Sequence, residues 1–490
     1  MMRKVFPFLK KHWLPLAAFI IATLMFSPSL SGFFTHDDFY FLKIADVSSW
    51  KDFLGFFNPV RDMEGIGVYR PLTLRVFYYL GVTLFNLNPL GLRIIAFLTF
   101  FADILLVGFL AKLLTGSIKV SALSLFLYAT SVTHFGQLYY IGAFQELFLT
   151  LTFLSSVIFF IKYEIGSKKD SGFKNLIISL ILFLLSLMSK ETAVMLPAVL
   201  VLVHLYLKVS KKIKVSTKKA VFSLIPYITI LLIYLALHFL IFGLIKGDSY
   251  IWDFSILRAV NTTFWYFLWS LNLPETLIDF IGPGIHLNPN LLKYWSGDII
   301  PIFALFVIQT TLIIYAFLKS IKSSTINHWQ LFFFSVGWFI LTLLPVVFLP
   351  LHKFTYYLTL PLIGVIFLLS YFFTNLKSKI YILFCLVWVA VSVFSLRLTT
   401  KTNWITQGVE TSGRVNSYFK ENRDILNSKE ISFIDLPEDA DLPWSPTLTL
   451  KTVLSEYNFF DVFYPELRDH ASYGNEKAEF KIRSRQLLGY

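Results

Sequence analysis

The chain has 490 residues, enough for about three soluble domains of ordinary size. Its composition argues against such domains, because 56% of the residues are hydrophobic, 18% are aromatic and only 15% are charged. A fold that faces water on all sides could not bury this much apolar surface, which excludes a soluble enzyme and a disordered chain. The single cysteine, Cys385, excludes an intramolecular disulfide, and its apolar sequence context argues against redox chemistry.

Charge divides the chain into two parts. Residues 1–397 contain 32 Lys and Arg against 16 Asp and Glu, whereas residues 398–490 contain 11 against 14. The overall charge of +13 is therefore not the footprint of a nucleic-acid partner. We predict a membrane domain over 1–397, followed by a small soluble domain over 398–490.

The apolar runs of the first part have the length of membrane spans. A hydrocarbon core of about 30 Å needs roughly 20 apolar residues per helix, and only helices or closed barrels can cross it. The runs are continuous rather than alternating, which excludes a barrel. We predict eleven transmembrane helices, near residues 12–31, 92–112, 120–140, 143–162, 175–190, 192–208, 220–243, 299–318, 329–350, 354–375 and 379–397.

Basic residues in the short loops predict the orientation. With the N-terminus inside, the inner segments hold 20 of the 32 basic residues of the membrane part but only two acids, Glu164 and Asp170. The loop from Lys208 to Lys219 alone contains six lysines. Positive charge favours the cytoplasmic side, so we predict an all-α polytopic protein of the plasma membrane with its N-terminus inside.

Three segments are then expected on the extracytoplasmic side of the membrane. Two are long loops, 32–91 and 244–298, in which we expect an interfacial helix over Pro71 to Phe85 and an interfacial or re-entrant one over Ile256 to Leu273. The third is the C-terminal domain, expected to be α/β or α+β, with a strand over Ile431 to Leu436 and a helix over Leu448 to Tyr457.

Polar residues gather on the same outer side, in turns that lie far apart in the sequence. Placing an ionisable group at the depth of the membrane costs free energy, so each such residue is a candidate functional group. The candidates are Asp37 and Asp38 after the first span, Arg70 in the first long loop, His134 and Glu146 around the turn between the third and fourth spans, Lys190 and Glu191 between the fifth and sixth, and His352 and Lys353 before the tenth.

Each candidate also has an ordinary structural explanation. The acid pair after the first span could be solvated loop charge, and Lys190 with Glu191 could be a neighbour pair at a helix end. Arg70 could anchor an interfacial helix to lipid phosphates, and His134 could be a packing residue. Asp103, deep in the second span, needs a partner or a proton. No zinc spacing, glycine-rich phosphate loop or Gly-x-Ser-x-Gly is present in the sequence.

Taken in order, the outer motifs resemble those of a known family. The chain resembles GT-C fold glycosyltransferases that use polyprenyl-phosphate sugars, especially the membrane half of O-mannosyltransferases that carry tetratricopeptide repeats. The resemblance covers residues 10–375 and rests on Asp37-Asp38, Tyr69-Arg70-Pro71-Leu72-Thr73, Asn88-Pro89-Leu90-Gly91 and Ser189-Lys190-Glu191. The chain departs from the family in having His352-Lys353 where Glu-Arg is usual, only His134 of a His-Pro element, and a 93-residue tail in place of the repeats.

The resemblance implies an enzyme and a mechanism. A sugar, expected to be mannose-like, would pass from a polyprenyl-phosphate donor to a hydroxyl of a protein, lipid or glycan acceptor, with inversion. Asp37 would be the general base, with Asp38 beside it, and Arg70, Lys190, His352 and Lys353 would bind the donor phosphate. His134, Glu146 and Glu191 would orient the acceptor or the base. No cofactor is certain, although the adjacent carboxylates could hold a divalent metal.

A second hypothesis remains open at this point. The chain could be a non-catalytic carrier or flippase of lipid-linked sugars, which should line its path with polar residues through the whole depth of the membrane. The candidates instead cluster on one side, with Asp103 as the exception. The clustering favours the transferase.

Overall fold

The computed structural model describes residues 2–60, 67–166, 169–213, 217–244, 247, 250–282, 286–322, 326–422 and 430–489. Within these ranges the side chains of 2–12, 169–171, 217–220 and 326–328 are not described. Much of the basic charge that predicts the orientation therefore lies outside the described side chains, as does Asp170 of the predicted inner acids. The orientation remains a prediction.

The described chain is mostly helical. Its α-helices are α1 (Met2–Phe26), α2 (Asp37–Ala45), α3 (Trp50–Gly55), α4 (Phe77–Thr83), α5 (Pro89–Thr115), α6 (Ile118–Ala129), α7 (Phe135–Tyr139), α8 (Phe144–Ile165), α9 (Lys169–Leu187), α10 (Leu196–Val209), α11 (Thr217–Ile241), α12 (Ile256–Ser270), α13 (Asn290–Lys322), α14 (Ile326–Val347), α15 (Pro361–Thr374), α16 (Ser378–Thr402), α17 (Trp404–Glu421), α18 (Pro446–Val453), α19 (Asn458–Phe463) and α20 (Ser484–Leu488). The strands are β1 (Ile281–Gly282), β2 (His286–Leu287), β3 (Ile431–Ile434), β4 (Ala471–Tyr473) and β5 (Phe480–Arg483).

Eight helical segments among the described residues are long and apolar enough to cross a membrane. They are Trp13–Ser31, Pro89–Thr115, Ile141–Ile165, Glu191–Val209, Val221–Ile241, Asn290–Lys322, Trp329–Val347 and Ser378–Thr402. Three shorter apolar helices, Ile118–Ala129, Gly172–Leu187 and Pro361–Thr374, overlap the remaining predicted spans. The polytopic helical class is thus confirmed, whereas the count of eleven spans remains a prediction.

The predicted span over 120–140 is not one continuous helix. It consists of α6, a 3₁₀ turn over Val132–His134 and the short α7. The break is stabilised by polar side chains, because the Ser131 hydroxyl and the backbone N–H of Val132 both donate to the Asn272 side-chain oxygen, at 2.7 and 3.2 Å. Side-chain hydrogen bonds of this kind replace the helical backbone bonds that the turn gives up.

Both helices expected in the outer loops are present. A π-helical turn over Pro71–Val76 leads into α4, and α12 covers most of the segment expected to lie at the interface. Pro71 begins its helix because a proline at the first helical position needs no backbone N–H partner. The interfacial or re-entrant position of α12 remains a prediction.

The tail contains a small three-stranded sheet in the order β4-β3-β5, with both pairs parallel. The predicted strand is present as β3. The predicted helix is α18, shifted toward the N-terminus because the Ser445 hydroxyl caps it and Pro446 follows. It ends at Val453, just before two residues of positive φ.

The tail packs directly on the segment that follows α1. Ser412 donates from its hydroxyl to the Phe34 carbonyl at 2.5 Å, and Lys43 forms a 2.7 Å ion pair with Asp461. The Phe463 ring lies 5.2 Å from that of Phe33. These contacts hold the tail against α2, whose first residues are the predicted acid pair.

Candidate functional site

The acid pair follows a strained residue. His36 has φ 52° and ψ −126°, a conformation that residues with a side chain rarely adopt and that persists only when the surroundings impose it. Two contacts impose it here: the His36 N–H donates to the Val453 carbonyl of the tail at 2.8 Å, and its ring contacts the Trp404 ring at 4.8 Å. The tail therefore fixes the turn from which Asp37 begins α2.

Asp38 is the buried member of the acid pair. Its two oxygens accept hydrogen bonds from the Tyr78 hydroxyl at 2.5 Å and from the Thr35 N–H at 3.0 Å. Burial raises its pKa to about 7, against the lowering effect of these two bonds and of the nearby Arg93. With both oxygens engaged and no exposure, Asp38 positions the turn rather than meeting a substrate.

Asp37 is the accessible member. Its side chain is exposed, and the Tyr140 hydroxyl donates to one of its oxygens at 3.3 Å. Protein surrounds the carboxylate closely enough that desolvation raises its pKa, while the Tyr140 bond lowers it. An open carboxylate of raised pKa, aimed by a single hydrogen bond, has the properties of a general base.

Arg93, in α5, braces this turn and was not among the predicted residues. Its guanidinium is buried and donates to four backbone carbonyls, at distances from 2.9 to 3.3 Å: those of Gly32, Phe33, Leu138 and Tyr139. It thereby ties the segment before the acid pair to the segment that carries Tyr140. An arginine four residues inside an apolar run is the sequence signal that could have identified it.

The second group of candidates forms a cluster of two ion pairs. Arg70 donates from Nε to both Glu191 oxygens at 2.9 Å, from Nη2 to Glu191 at 2.6 Å, and from Nη1 to Gln145 at 2.5 Å. Lys190 pairs with Glu146, and both side chains are buried. The cluster therefore has two positive and two negative charges, and its cations already have partners.

Local structure explains why these distant residues meet. Arg70 immediately precedes the Pro71–Val76 turn, while Lys190 is in extended conformation between α9 and a 3₁₀ turn over Glu191–Met195. The Thr73 hydroxyl donates to the Ser189 carbonyl at 2.8 Å, so the two loops are joined directly. The Lys190 ammonium also lies 4.4 Å from the centre of the Tyr357 ring.

The last two basic candidates differ from each other. Burial, followed by the charges of Lys190 and Arg70, lowers the pKa of His352 to about 3, so its ring is neutral at neutral pH. Lys353 is half-buried, and burial lowers its pKa. No ion pair or hydrogen bond of its side chain occurs among the residues that the structure describes. Unlike Arg70 and Lys190, Lys353 has no carboxylate partner among the described residues.

Glu275, also missed from the sequence, holds the turn that carries Lys353. The buried carboxylate accepts from the Thr355 N–H at 2.5 Å, from the Thr355 hydroxyl at 2.6 Å and from the Asn403 side-chain amide at 3.0 Å. Burial raises its pKa and these bonds lower it. Glu275 thus fixes the turn before α15 against the start of α17.

An elongated cavity of about 360 Å³ opens beside the ion-pair cluster. Its charged lining residues are Arg70, Lys190 and Glu191, whereas the rest of its wall is mostly apolar and comes from α11, α14 and the segments that follow them, together with residues after Glu191. Tyr250 and Tyr357 also line it. A charged end joined to apolar walls suits a ligand with a polar head and a hydrocarbon chain.

Tyr250 connects the two groups of candidates. Its ring lies 4.0 Å from that of His352, and its hydroxyl has a raised pKa. The causes are burial, which raises the pKa, then Arg70, which lowers it, and Glu191 and Asp37, which raise it. Tyr250 therefore borders the cavity and contacts His352, whose ring lies 4.9 Å from that of Phe354, which in turn lies 6.1 Å from that of Trp404.

His134 is not linked to these groups. Its ring is buried between Phe100 and Tyr128, at 4.8 and 4.5 Å, and its Nε2 is 2.9 Å from the Tyr128 carbonyl. No hydrogen bond or ring contact in the described ranges joins it to another candidate. The packing explanation fits His134 better than a role in orienting an acceptor.

The acid pair does not fit a divalent-metal site. Asp38 already uses both oxygens, and within the described residues no group of three or more His, Cys, Asp or Glu side chains lies close enough to hold an ion. Metal sites for hard cations gather several oxygen ligands. We therefore derive no step through a metal.

Comparison with protein-family models, with curated proteins and with solved structures found no match. The likeness to GT-C glycosyltransferases therefore rests on the sequence motifs alone. Function has to be argued from the geometry described above.

Proposed function

We propose that the chain is a membrane glycosyltransferase that moves a sugar from a polyprenyl-phosphate donor to an acceptor hydroxyl at the extracytoplasmic face. The observation that carries the proposal is a series of ring contacts that runs from Tyr140, the hydrogen-bond partner of Asp37, to the cavity residue Tyr250. The contacts are Tyr140–Trp404 at 5.5 Å, Trp404–Phe354 at 6.1 Å, Phe354–His352 at 4.9 Å and His352–Tyr250 at 4.0 Å. We infer that the exposed Asp37 carboxylate and the apolar-walled cavity beside the two ion pairs are parts of one site.

The cavity beside the ion-pair cluster, which we call the donor cavity, supports a lipid phosphate as the donor. Its wall is mostly apolar, as a polyprenyl chain requires, and its charged lining residues, Arg70, Lys190 and Glu191, belong to the two ion pairs. Because these cations are already neutralised, the additional positive charge for a phosphate would come from Lys353. Lys353 does not line the cavity, but it follows His352, whose ring lies 4.0 Å from that of the lining residue Tyr250. Arg70 and Lys190 would then serve as hydrogen-bond donors that the carboxylates hold in place.

The chemistry needs one proton transfer and one bond exchange. The acceptor oxygen attacks the anomeric carbon, and the bond from that carbon to the phosphate oxygen breaks with its electron pair remaining on the phosphate. The proton of the acceptor hydroxyl passes to Asp37. Attack opposite the leaving group inverts the anomeric configuration. Cationic donors near the phosphate stabilise the charge that develops there.

The direct test is release of polyprenyl phosphate from mannosyl-phosphoryl-polyprenol, with a cell-envelope extract supplying acceptors. We expect Asp37→Asn to lower the rate by about 10²–10⁴-fold, the usual contribution of a general base. Asp46→Asn is the matched control, because Asp46 is an exposed acid at the end of the same helix. Undiminished release by Asp37→Asn, or none by the natural chain, contradicts the proposal.

A carrier of lipid-linked sugars is the alternative, and one observation favours it. Both oxygens of Asp103 are buried in α5 without a hydrogen-bond partner among the described residues. A polar group at that depth suits a transport path. A carrier would move the intact sugar lipid from one leaflet of a vesicle membrane to the other, and Asp37→Asn would leave the rate of that movement unchanged.

A further inference from the structure

A second cavity lies on the other side of the strained turn, between the tail and the segment after α1. It has a volume of about 490 Å³, within the ~300–1,000 Å³ range of small-molecule sites. Its wall comes from His36, from α17, from the segment around α18 and from Leu488. We refer to it as the tail cavity.

The chemistry of the tail cavity is polar but uncharged. Two indole rings, Trp404 and Trp444, share its wall with the hydroxyls of Thr411, Thr449 and Thr452 and the amide of Gln407. No Lys, Arg, Asp or Glu lines it. Burial also lowers the pKa of His36 to about 4, so this ring adds no charge at neutral pH.

This lining selects among ligand classes. A phosphate, a nucleotide or an acidic lipid head would require a cation, which the wall does not offer. A purely apolar ligand would desolvate the Gln407 amide and the free lone pairs of the threonine hydroxyls, which already bond within the tail, without offering them a hydrogen bond. A sugar ring satisfies both features, because its C–H face packs on an indole while its hydroxyls bond to amides and hydroxyls.

The tail cavity adjoins the predicted base. His36 lines the cavity and immediately precedes Asp37. Trp404 lines it too, and its ring lies 5.5 Å from the ring of Tyr140, whose hydroxyl donates to Asp37 at 3.3 Å. A saccharide held in the cavity would thus be separated from the Asp37 carboxylate by His36 along the chain, and by the Trp404 and Tyr140 rings through space.

We propose that the tail cavity binds an uncharged saccharide and that the acceptor of the sugar is therefore a glycan. The acceptor role rests on the proposed glycosyl transfer, whereas saccharide binding does not. The Trp404 and Trp444 rings hold the sugar faces, and Gln407 with the threonines holds the hydroxyls. The tail is then part of the acceptor site.

The test measures binding without turnover. Saturation-transfer difference NMR on the full chain in nanodiscs would use three uncharged trisaccharides, built from glucose, mannose or galactose, and an uncharged peptide of Ser, Thr and Gly. We expect at least one trisaccharide to bind and Trp444→Ala to weaken it at least tenfold. Gln407→Ala, at an exposed position, should weaken it as well and tests the cavity if the tryptophan variant misfolds.

Trp50→Ala is the control, since Trp50 is 71% exposed in the first outer loop and lies outside the tail cavity. Absence of trisaccharide binding, or binding that neither cavity variant weakens, overturns the inference. Binding of the peptide that depends on Trp444 also overturns it, because the acceptor would then be a protein. Saccharide binding without donor turnover supports the cavity and rejects only the transferase.

Discussion

Gly408 in α17 lies against His36, the residue that sets the direction of Asp37. A Cβ atom at Gly408 would stand 2.5 Å from Cε1 of His36 and 2.6 Å from the Thr35 hydroxyl oxygen. Only glycine allows the tail helix to approach this turn so closely. The tail and the acid pair are therefore one structural unit, although about 370 residues separate them in the sequence.

Gly408→Ala should reduce polyprenyl phosphate release while the protein remains folded. The added methyl has to displace the His36 ring, and a shift of about 1 Å at a catalytic group can cost on the order of 10²-fold in rate. Gly413→Ala is the matched control in the same helix, because its Cβ would meet only Phe33, at an ordinary 3.6 Å. Equal rates for the two variants would show that the approach of α17 does not position Asp37.

Arg93→Leu should destabilise the protein strongly. The substitution leaves one buried and three partly buried carbonyls without their donor, and a buried unsatisfied group costs about 1–3 kcal/mol. The denaturation midpoint in detergent should fall far more than for Arg397→Leu, because the Arg397 side chain is mostly exposed and its partner Asp298 keeps a second ion pair, with Lys401. Similar midpoints for the two variants would exclude Arg93 as the brace of this turn.

Lys190 and Lys353 should respond differently to substitution by alanine. Lys190→Ala leaves Glu146 buried and unpaired, which should cost about 3–5 kcal/mol of stability. Lys353→Ala breaks no ion pair among the described residues, so the thermal midpoint should hardly change. The KM for the donor should rise instead, by about tenfold for the loss of one phosphate contact. A KM unaffected by Lys353→Ala would place the phosphate elsewhere.

Asp38 should make stability depend on pH in the direction opposite to most acids. Its pKa is raised from an ordinary value near 3.8 to about 7, so between these values the folded state binds the extra proton. Stability should therefore fall as pH rises from about 4 to 7 and then level off. Thermal midpoints of the natural chain and of Asp38→Asn, measured across this range, should differ in slope. Parallel curves would contradict the burial of a protonated Asp38.

The sequence predicted those parts of the structure that depend on local pattern. Apolar runs predict the helices, Pro71 and Pro446 mark helix starts, and alternating apolar residues predict β3. The outer turns could be grouped because helices of similar length place their ends at similar depths. That Lys190 pairs with Glu146, and Arg70 with Glu191, does not follow from spacing.

Three features could not be predicted, each because it depends on long-range packing. The approach of the tail to His36 depends on a glycine contact across the chain. Arg93 binds four backbone carbonyls, and Glu275 binds one backbone N–H and two side chains, all from distant parts of the sequence, and a sequence does not show which of these groups will lack another partner. The neutralisation of Arg70 by Glu191 also changes its expected role, from a free phosphate ligand to an oriented donor.

A structure with the polyprenyl-phosphate sugar bound tests the central claim most directly. The account predicts the phosphate at the cluster end of the donor cavity, within hydrogen-bond distance of Lys353, Arg70 or Lys190, and the anomeric carbon facing the Asp37 carboxylate. The polyprenyl chain should lie along the apolar wall formed by α11 and α14. A phosphate bound near Lys208 to Lys219, or a sugar turned away from Asp37, would contradict the account.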